Sequence, residues 1–193
     1  MSSAERAREA LGPQAAASVA VVDSQLASLC LGLVALSAAQ AAASNQAQAA
    51  GQATSPQRLA EQVQAGLPKS HGFFVLDTLE YLQKGGRIGK AQAFLGSLLN
   101  VKPILTIQDG ECHPVERQRN RPRAVARVVE LARALGPLAH LGVIYSTEPD
   151  QAAALRHSLA KLLPEEQIVV SQFGATLGAY VGPRALGVAL ITA

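Results

Sequence analysis

An Asp109-Gly110 pair is flanked by two short runs, 103–108 and 111–117, of strand length. A two-residue primed turn needs positive φ at both central positions, which Asp tolerates and Gly adopts freely. The pair therefore predicts an antiparallel hairpin, and a hairpin commits the surrounding chain to a sheet. Short apolar runs at 19–22, 73–76, 141–146, 168–172 and 187–191 read as further strands. Between them lie helical segments. Ser2 and Glu5 have the spacing of a capping box for a first helix reaching Leu11. Leu26, Leu29, Cys30, Leu33 and Val34 form one apolar helical face, and Pro56 sits where a helix starts. Segments 79–84, 88–99, 122–135 and 150–162 read as helices, the second carrying Ile88, Ala91, Leu95, Leu98 and Leu99 on one side.

The first third thus reads β-α-α, and the character changes after a linker-like stretch at 66–70. The expectation is an α/β protein of two lobes, 1–68 and 69–193, the second an α+β unit with a mixed, largely antiparallel sheet. Aromatic residues are 4% of the chain and tryptophan is absent, which removes the stacking platforms that grip single-stranded nucleic acid. A net charge of +3 is too mild to point to nucleic acid or an anionic membrane. Cys30 and Cys112 stand far apart without metal-ligand spacing, so neither a disulfide framework nor a zinc site is expected, and a reducing cytoplasm fits. Residues 1–14 carry Glu5, Arg6, Arg8 and Glu9 and show no secretory signal. Residues 26–43 lack charge, but Ser28, Ser37 and Gln40 interrupt them and no basic flank borders them. A buried helix is expected there, with no stable membrane insertion.

Three segments carry the functional reading. In the first, Gly85 and Gly86 precede Arg87. Two glycines let backbone N–H groups approach a ligand, the next helix offers a positive end, and Arg87 supplies a fork for carboxylate or phosphate. Equally, Gly85 is a helix C-cap and Arg87 a structural charge. The second segment holds Arg117, Arg119, Arg121, Arg123 and Arg127. It reads either as a solvated helix start or as an edge that docks an acidic partner; without interleaved aromatics, DNA binding rests on charge alone. In the third, glycines 178, 182 and 187 surround Tyr180, which either packs or points its hydroxyl into a cleft. His71, His113, His140 and His157 are scattered, and no nucleophile elbow, Walker loop or dinucleotide fingerprint is present. No catalytic or metal-ligating residue is assigned.

Val21-Val22-Asp23-Ser24, then Leu79-Glu80-Tyr81-Leu82-Gln83-Lys84-Gly85-Gly86-Arg87-Ile88, then Leu98-Leu99-Asn100-Val101-Lys102-Pro103-Ile104-Leu105 together resemble the DegV family of bacterial fatty-acid-binding proteins. The resemblance runs through Gly182-Pro183 and covers nearly the whole chain. It implies a Rossmann-like N-terminal lobe, of which this chain holds a remnant, followed by the α+β lobe. It also implies a long-chain fatty acid as ligand, no other cofactor and no catalysis, with the carboxylate presented in some members to a separate fatty-acid kinase. On this basis Gly85, Gly86, Arg87 and Tyr180 are expected near the carboxylate, and Phe74, Leu76, Leu79, Leu82, Phe94, Leu95 and Leu98 along the tail. Arg117, Arg119 and Arg121 are expected to face the partner. Two departures stand out. The chain is expected to begin inside the first lobe, after hydroxyl residues that grip the carboxylate in the family. Tyr180-Val181-Gly182-Pro183-Arg184 also stands where the family often has a His-Thr-Gly-Pro-Gly segment. The alternative is an enzyme of the dihydroxyacetone-kinase type, which needs a substrate-linking histidine in a cleft.

Overall fold

A computed structural model describes residues 2–48, 55–95 and 101–193. By proximity the chain groups into two units, one of Met1–Ser24 and Val34–Pro68, the other of Gln25–Leu33 and Lys69–Ala193. In the first unit, α1 (Ser3–Ala10) opens with the capping box its sequence announces: Glu5 N–H donates to Ser2 Oγ at 3.2 Å and Ser2 N–H to Glu5 Oε2 at 2.7 Å. A single turn, α2 (Pro13–Ala16), follows, and α3 (Ser28–Gln48) spans 21 residues, its first residues grouping with the second unit. Helix α4 (Pro56–Gly66) starts on a proline and is capped by Ser55, whose hydroxyl accepts from Arg58 N–H at 3.2 Å. The strand expected at 19–22 does not form. β-branched residues suit extended backbone, but a strand exists only where a neighbour offers its ladder, and no described strand pairs there.

The second unit is built on six described strands: β1 (Ser70–Val75), β2 (Lys102–Gln108), β3 (Glu111–Gln118), β4 (Leu138–Tyr145), β5 (Val169–Gln172) and β6 (Leu186–Thr192). Their order is β3-β2-β1-β6-β4-β5, antiparallel except for β4 beside β5. The sheet is thus mixed and mostly antiparallel, as the turn chemistry implied. Asp109 and Gly110 have φ of 53° and 76°, and Gln108 pairs with Glu111 across them. Helices α5 (Glu80–Lys84), α6 (Arg121–Ala134), α7 (Pro149–Leu159) and α8 (Ala175–Val181) complete the unit.

Strand alternation divides the side chains between two faces. On one, Val75, Ile104, Leu141, Val143, Leu186, Val188 and Leu190 pack with Ala124 and Val128 of α6 and Ala152, Leu155 and Leu159 of α7. The other is lined by small residues: Gly72 pairs with Ala189, which pairs with Gly142, so the three lie abreast. A Cβ on Gly72 would meet Cys30 Sγ at 2.5 Å, and one on Gly142 would meet Leu29 Cδ2 at 2.6 Å. The first turn of α3 thus rests on bare backbone. Burial there pushes the Cys30 thiol up to about 12.

Where an α-helix is expected over 88–99, the described residues form a 3-10 stretch, Gly89–Phe94, and 96–99 lie outside the described residues. Gly89 has φ +50°, which no α-helix accommodates, and a Cβ there would lie 2.9 Å from the Cys112 carbonyl oxygen. The chain gives up helical hydrogen bonding at this point to press against β3.

Candidate functional site

Beside the lined-out glycines the second sheet face opens into a recessed cavity of about 470 Å³, within the range of sites for small organic ligands. Its floor is apolar, formed by Phe74, Leu76 and Leu105 of the sheet region, with Leu82 of α5, Phe173 and Leu177 around it. Leu76, Leu82 and Leu105 belong to a buried cluster with Leu79, Ala91 and Ala185. Phe74 is kept flat by its neighbours: a Cβ on Gly187 would meet its Cδ1 at 2.5 Å, and one on Gly72 its Cζ at 2.9 Å.

The wall beside Arg87 is held by an exchange of aromatic rings between α5 and α8. Tyr180 lies against Gly85, where a Cβ would sit 2.5 Å from Tyr180 Cε1. Tyr81 lies against Gly182, where a Cβ would sit 2.6 Å from Tyr81 Cε2. Gly85, with φ −79°, caps α5, so what it needs is the absent side chain rather than unusual backbone. The positive φ falls on Gly86, at 66°. Arg87 covers the far side of the same ring: its guanidinium lies 5.3 Å from the Tyr180 centroid and donates to the Gly85 carbonyl at 3.2 Å. Four residues singled out in the sequence, Gly85, Gly86, Arg87 and Tyr180, are therefore brought together, although Arg87 and Tyr180 stand 93 positions apart in the chain. Gly86, Arg87 and Tyr180 line the cavity; Gly85 stands behind the tyrosine.

The remaining candidates divide. Leu79 is buried in the neighbouring cluster, and Phe94 and Leu95 pack against its edge, none of them lining the cavity. Leu98 lies outside the described residues. Phe94 faces a different partner, the Arg117 guanidinium at 4.8 Å from its ring centroid. Arg119 is exposed. Arg121 is a correction to the docking edge: its side chain is 9% exposed, with Nη1 3.1 Å from Asp77 Oδ1 and Nε donating to Gln151 Oε1 at 2.7 Å. The first residue of α6 points inward because Asp77 needs counter-charge, receiving Lys102 at 3.2 Å and Arg184 at 3.3 Å as well. Arg127 pairs with Glu116 and Glu130, and its guanidinium holds the Glu116 carboxyl below the usual carboxylate range.

Sequence reasoning missed one wall. Gln25, Leu26, Ala27 and Ser28, leading into α3, also line the cavity. Gln25 and Ser28 have φ of 53° and 59°, a region that non-glycine residues rarely adopt. The Ser28 hydroxyl is closed off from solvent without a hydrogen-bond partner. Nothing in composition marks this; the only local sign was Asp23-Ser24 ahead of a helix. None of the four histidines lines the cavity, so the residue required by a dihydroxyacetone-kinase-type mechanism is not in this cleft. Cys112 is among the lining residues, and burial raises the pKa of its thiol. Among the described residues no cluster of His, Cys, Asp and Glu could hold a metal ion, and no helix is long and apolar enough to cross a membrane.

The second unit is thus a mixed sheet with α6 and α7 packed on one face and an apolar, ring-walled cavity on the other. The whole chain, residues 1–193, matches the family described as "Uncharacterised protein, DegV family", and it belongs to the DegV family. It is 40% identical to a DegV domain-containing protein of Streptomyces coelicolor over 94% of this chain and 61% of that protein. It is 33% identical to Protein DegV of Bacillus subtilis over 86% of this chain and 58% of that one. The chain thus spans about three fifths of these relatives. Among solved structures, a DegV family protein from Thermus thermophilus, described for its fatty acid binding, superposes with a TM-score of 0.80 at 32% identity, covering 98% of this chain and 65% of that one. DegV from Bacillus subtilis, described as a fatty acid binding protein, superposes with a TM-score of 0.71 at 31% identity, covering 89% and 59%.

Proposed function

We propose that this chain binds a long-chain fatty acid, its acyl tail in the cavity floored by Phe74, Leu76 and Leu105, and offers the carboxylate to a partner enzyme, a fatty-acid kinase, in lipid metabolism. The observation that carries the reading is the cavity, about 470 Å³ and walled mainly by apolar side chains. Each methylene moved from water into such a wall gains about 0.8 kcal/mol, so eight of them supply roughly 6 kcal/mol before any polar contact. Related proteins from Thermus thermophilus and Bacillus subtilis, described as fatty acid binders, support the ligand class. Arg87 and Tyr180 form the rim, and Arg117 and Arg119 are the residues of the basic edge proposed to meet the partner.

Native mass spectrometry of protein purified without detergent, followed by titration with a fluorescent long-chain acid, tests the binding. A bound acyl acid, or saturable uptake of one at a single site, is the expected result. A chain that carries no lipid and takes up no acid would overturn it.

A further inference from the structure

Resting on the fatty-acid reading, we infer that Phe74 closes the inner end of the cavity and sets the longest acyl tail it accepts. The cavity has an open side and a closed one. Gly86, Arg87, Gly89, Gly110 and Glu111 line it and are exposed. A Cβ on Gly89 would lie 3.4 Å from Glu111 Cβ, so the 86–89 segment and the hairpin tip meet and form the mouth. Phe74, Leu76, Leu82 and Leu105 line the cavity from the buried interior. An ionised carboxylate cannot give up its hydration to an apolar interior without a partner, so it stays at the mouth and the tail runs inward.

What the tail meets there follows from strand alternation. Along β1 and one step beyond it, Gly72, Phe74 and Leu76 succeed one another on this face. The first turn of α3 covers Gly72, the cavity lies over Leu76, and Phe74 stands between them. Its ring leans across its cross-strand partner Gly187 and back toward Gly72. A Cβ on Gly72 would lie 2.9 Å from Phe74 Cζ and 2.5 Å from Cys30 Sγ, so ring tip and thiol converge over one residue. The thiol is itself tied down, donating to the His71 carbonyl at 3.7 Å. With glycine backbone beneath and α3 behind, the ring has no room to recede, and a methylene that reaches it has no further wall to enter. The same two glycines determine what truncation does. They carry no side chains to collapse into the space, so removing the ring extends the apolar cavity instead of letting neighbours fill the gap.

The test is a series of straight-chain saturated acids from dodecanoic to icosanoic, each competing against a fluorescent long-chain probe on the full chain. Wild-type affinity should rise by up to about fourfold per methylene, the gain for moving one from water into an apolar wall, and then level off once the tail meets the ring. In Phe74→Ala the rise should continue for at least two more carbons. The first acid beyond the wild-type limit then gains about tenfold relative to the acid at that limit. Phe74→Leu, which loses less buried volume, should move the limit the same way by a smaller step, and it keeps the comparison available if the alanine variant unfolds. Leu105→Ala removes apolar floor beside the ring but not the ring itself, so it should weaken acids of every length and leave the limit in place. An equal shift in Leu105→Ala would show that total volume sets the limit, and would overturn the assignment. So would a wild type whose affinity climbs without levelling, or Phe74→Ala and Phe74→Leu variants that keep the wild-type limit; in each case fatty-acid binding stands. If wild type takes up no acid of any length, the binding reading falls and this assignment with it.

Discussion

Gly85→Ala isolates the ring exchange that walls the cavity. Gly85 has φ −79°, which alanine adopts without strain, so the effect comes from packing alone. The new methyl would sit 2.5 Å from Tyr180 Cε1 and nearer still to its Cδ1, while the Tyr81 carbonyl oxygen lies 3.1 Å away. The Tyr180 ring must therefore leave, taking with it the face that Arg87 covers at 5.3 Å. Overpacking of this kind costs about 1–3 kcal/mol, and the lost cation–π contact adds about 0.5–1 kcal/mol at an exposed arginine. A total near 2–3 kcal/mol lowers Tm by roughly 5–10 °C in a chain of this size. Gly86→Ala is the contrast: nothing lies within 4 Å of its would-be Cβ, and only the φ of +66° opposes the change, at about 1–2 kcal/mol. Thermal unfolding of Gly85→Ala in the wild-type and Tyr180→Ala backgrounds gives the decisive comparison. Removing the ring should abolish most of the Gly85→Ala penalty. An equal loss in both backgrounds would show that the tyrosine is not what Gly85 accommodates.

Two other perturbations follow from the ion pairs. Asp77→Asn should lower stability by about 3 kcal/mol, measured by urea unfolding, because Arg121 at 9% exposure then retains only Gln151 and a Glu148 carboxylate 4.0 Å away; a change below about 1 kcal/mol would contradict it. Acid lability should depend on Glu116, whose folded pKa is depressed chiefly by hydrogen bonds from Arg127. Because the unfolded carboxyl binds a proton first, the stabilisation is present above its ordinary pKa of 4.5 and is lost as pH falls through the depressed folded value. Glu116→Gln should therefore flatten the dependence of Tm on pH below 4.5, and an unchanged acid limb would exclude the pair as its source.

Local chemistry was legible where it acts locally. Asp109-Gly110 specified a hairpin because turn conformation depends on those two residues, and Ser2 with Glu5 specified a helix start for the same reason. The double glycine and Tyr180 were visible as separate oddities, but their contact depends on how α5 meets α8. The helix expected over 88–99 failed at Gly89, where proximity to Cys112 decides the backbone. Arg121 looked like its exposed neighbours, since the Asp77 that draws it inward stands 44 positions away. Gln25 and Ser28 were unreadable: positive φ at a glutamine or serine is imposed from outside, and no residue type announces it.

The place of β6 has a consequence for how the molecule is made. It lies between β1 and β4, with Ser70 paired to Ile191 and Tyr145 to Leu186. On a ribosome it is the last of the six described strands to appear, on the order of ten seconds after β1 at ordinary elongation rates. Until then the sheet exists as two halves with bare inner edges, open to any passing strand. The sheet of this lobe therefore closes only once β6 has emerged and inserted between β1 and β4.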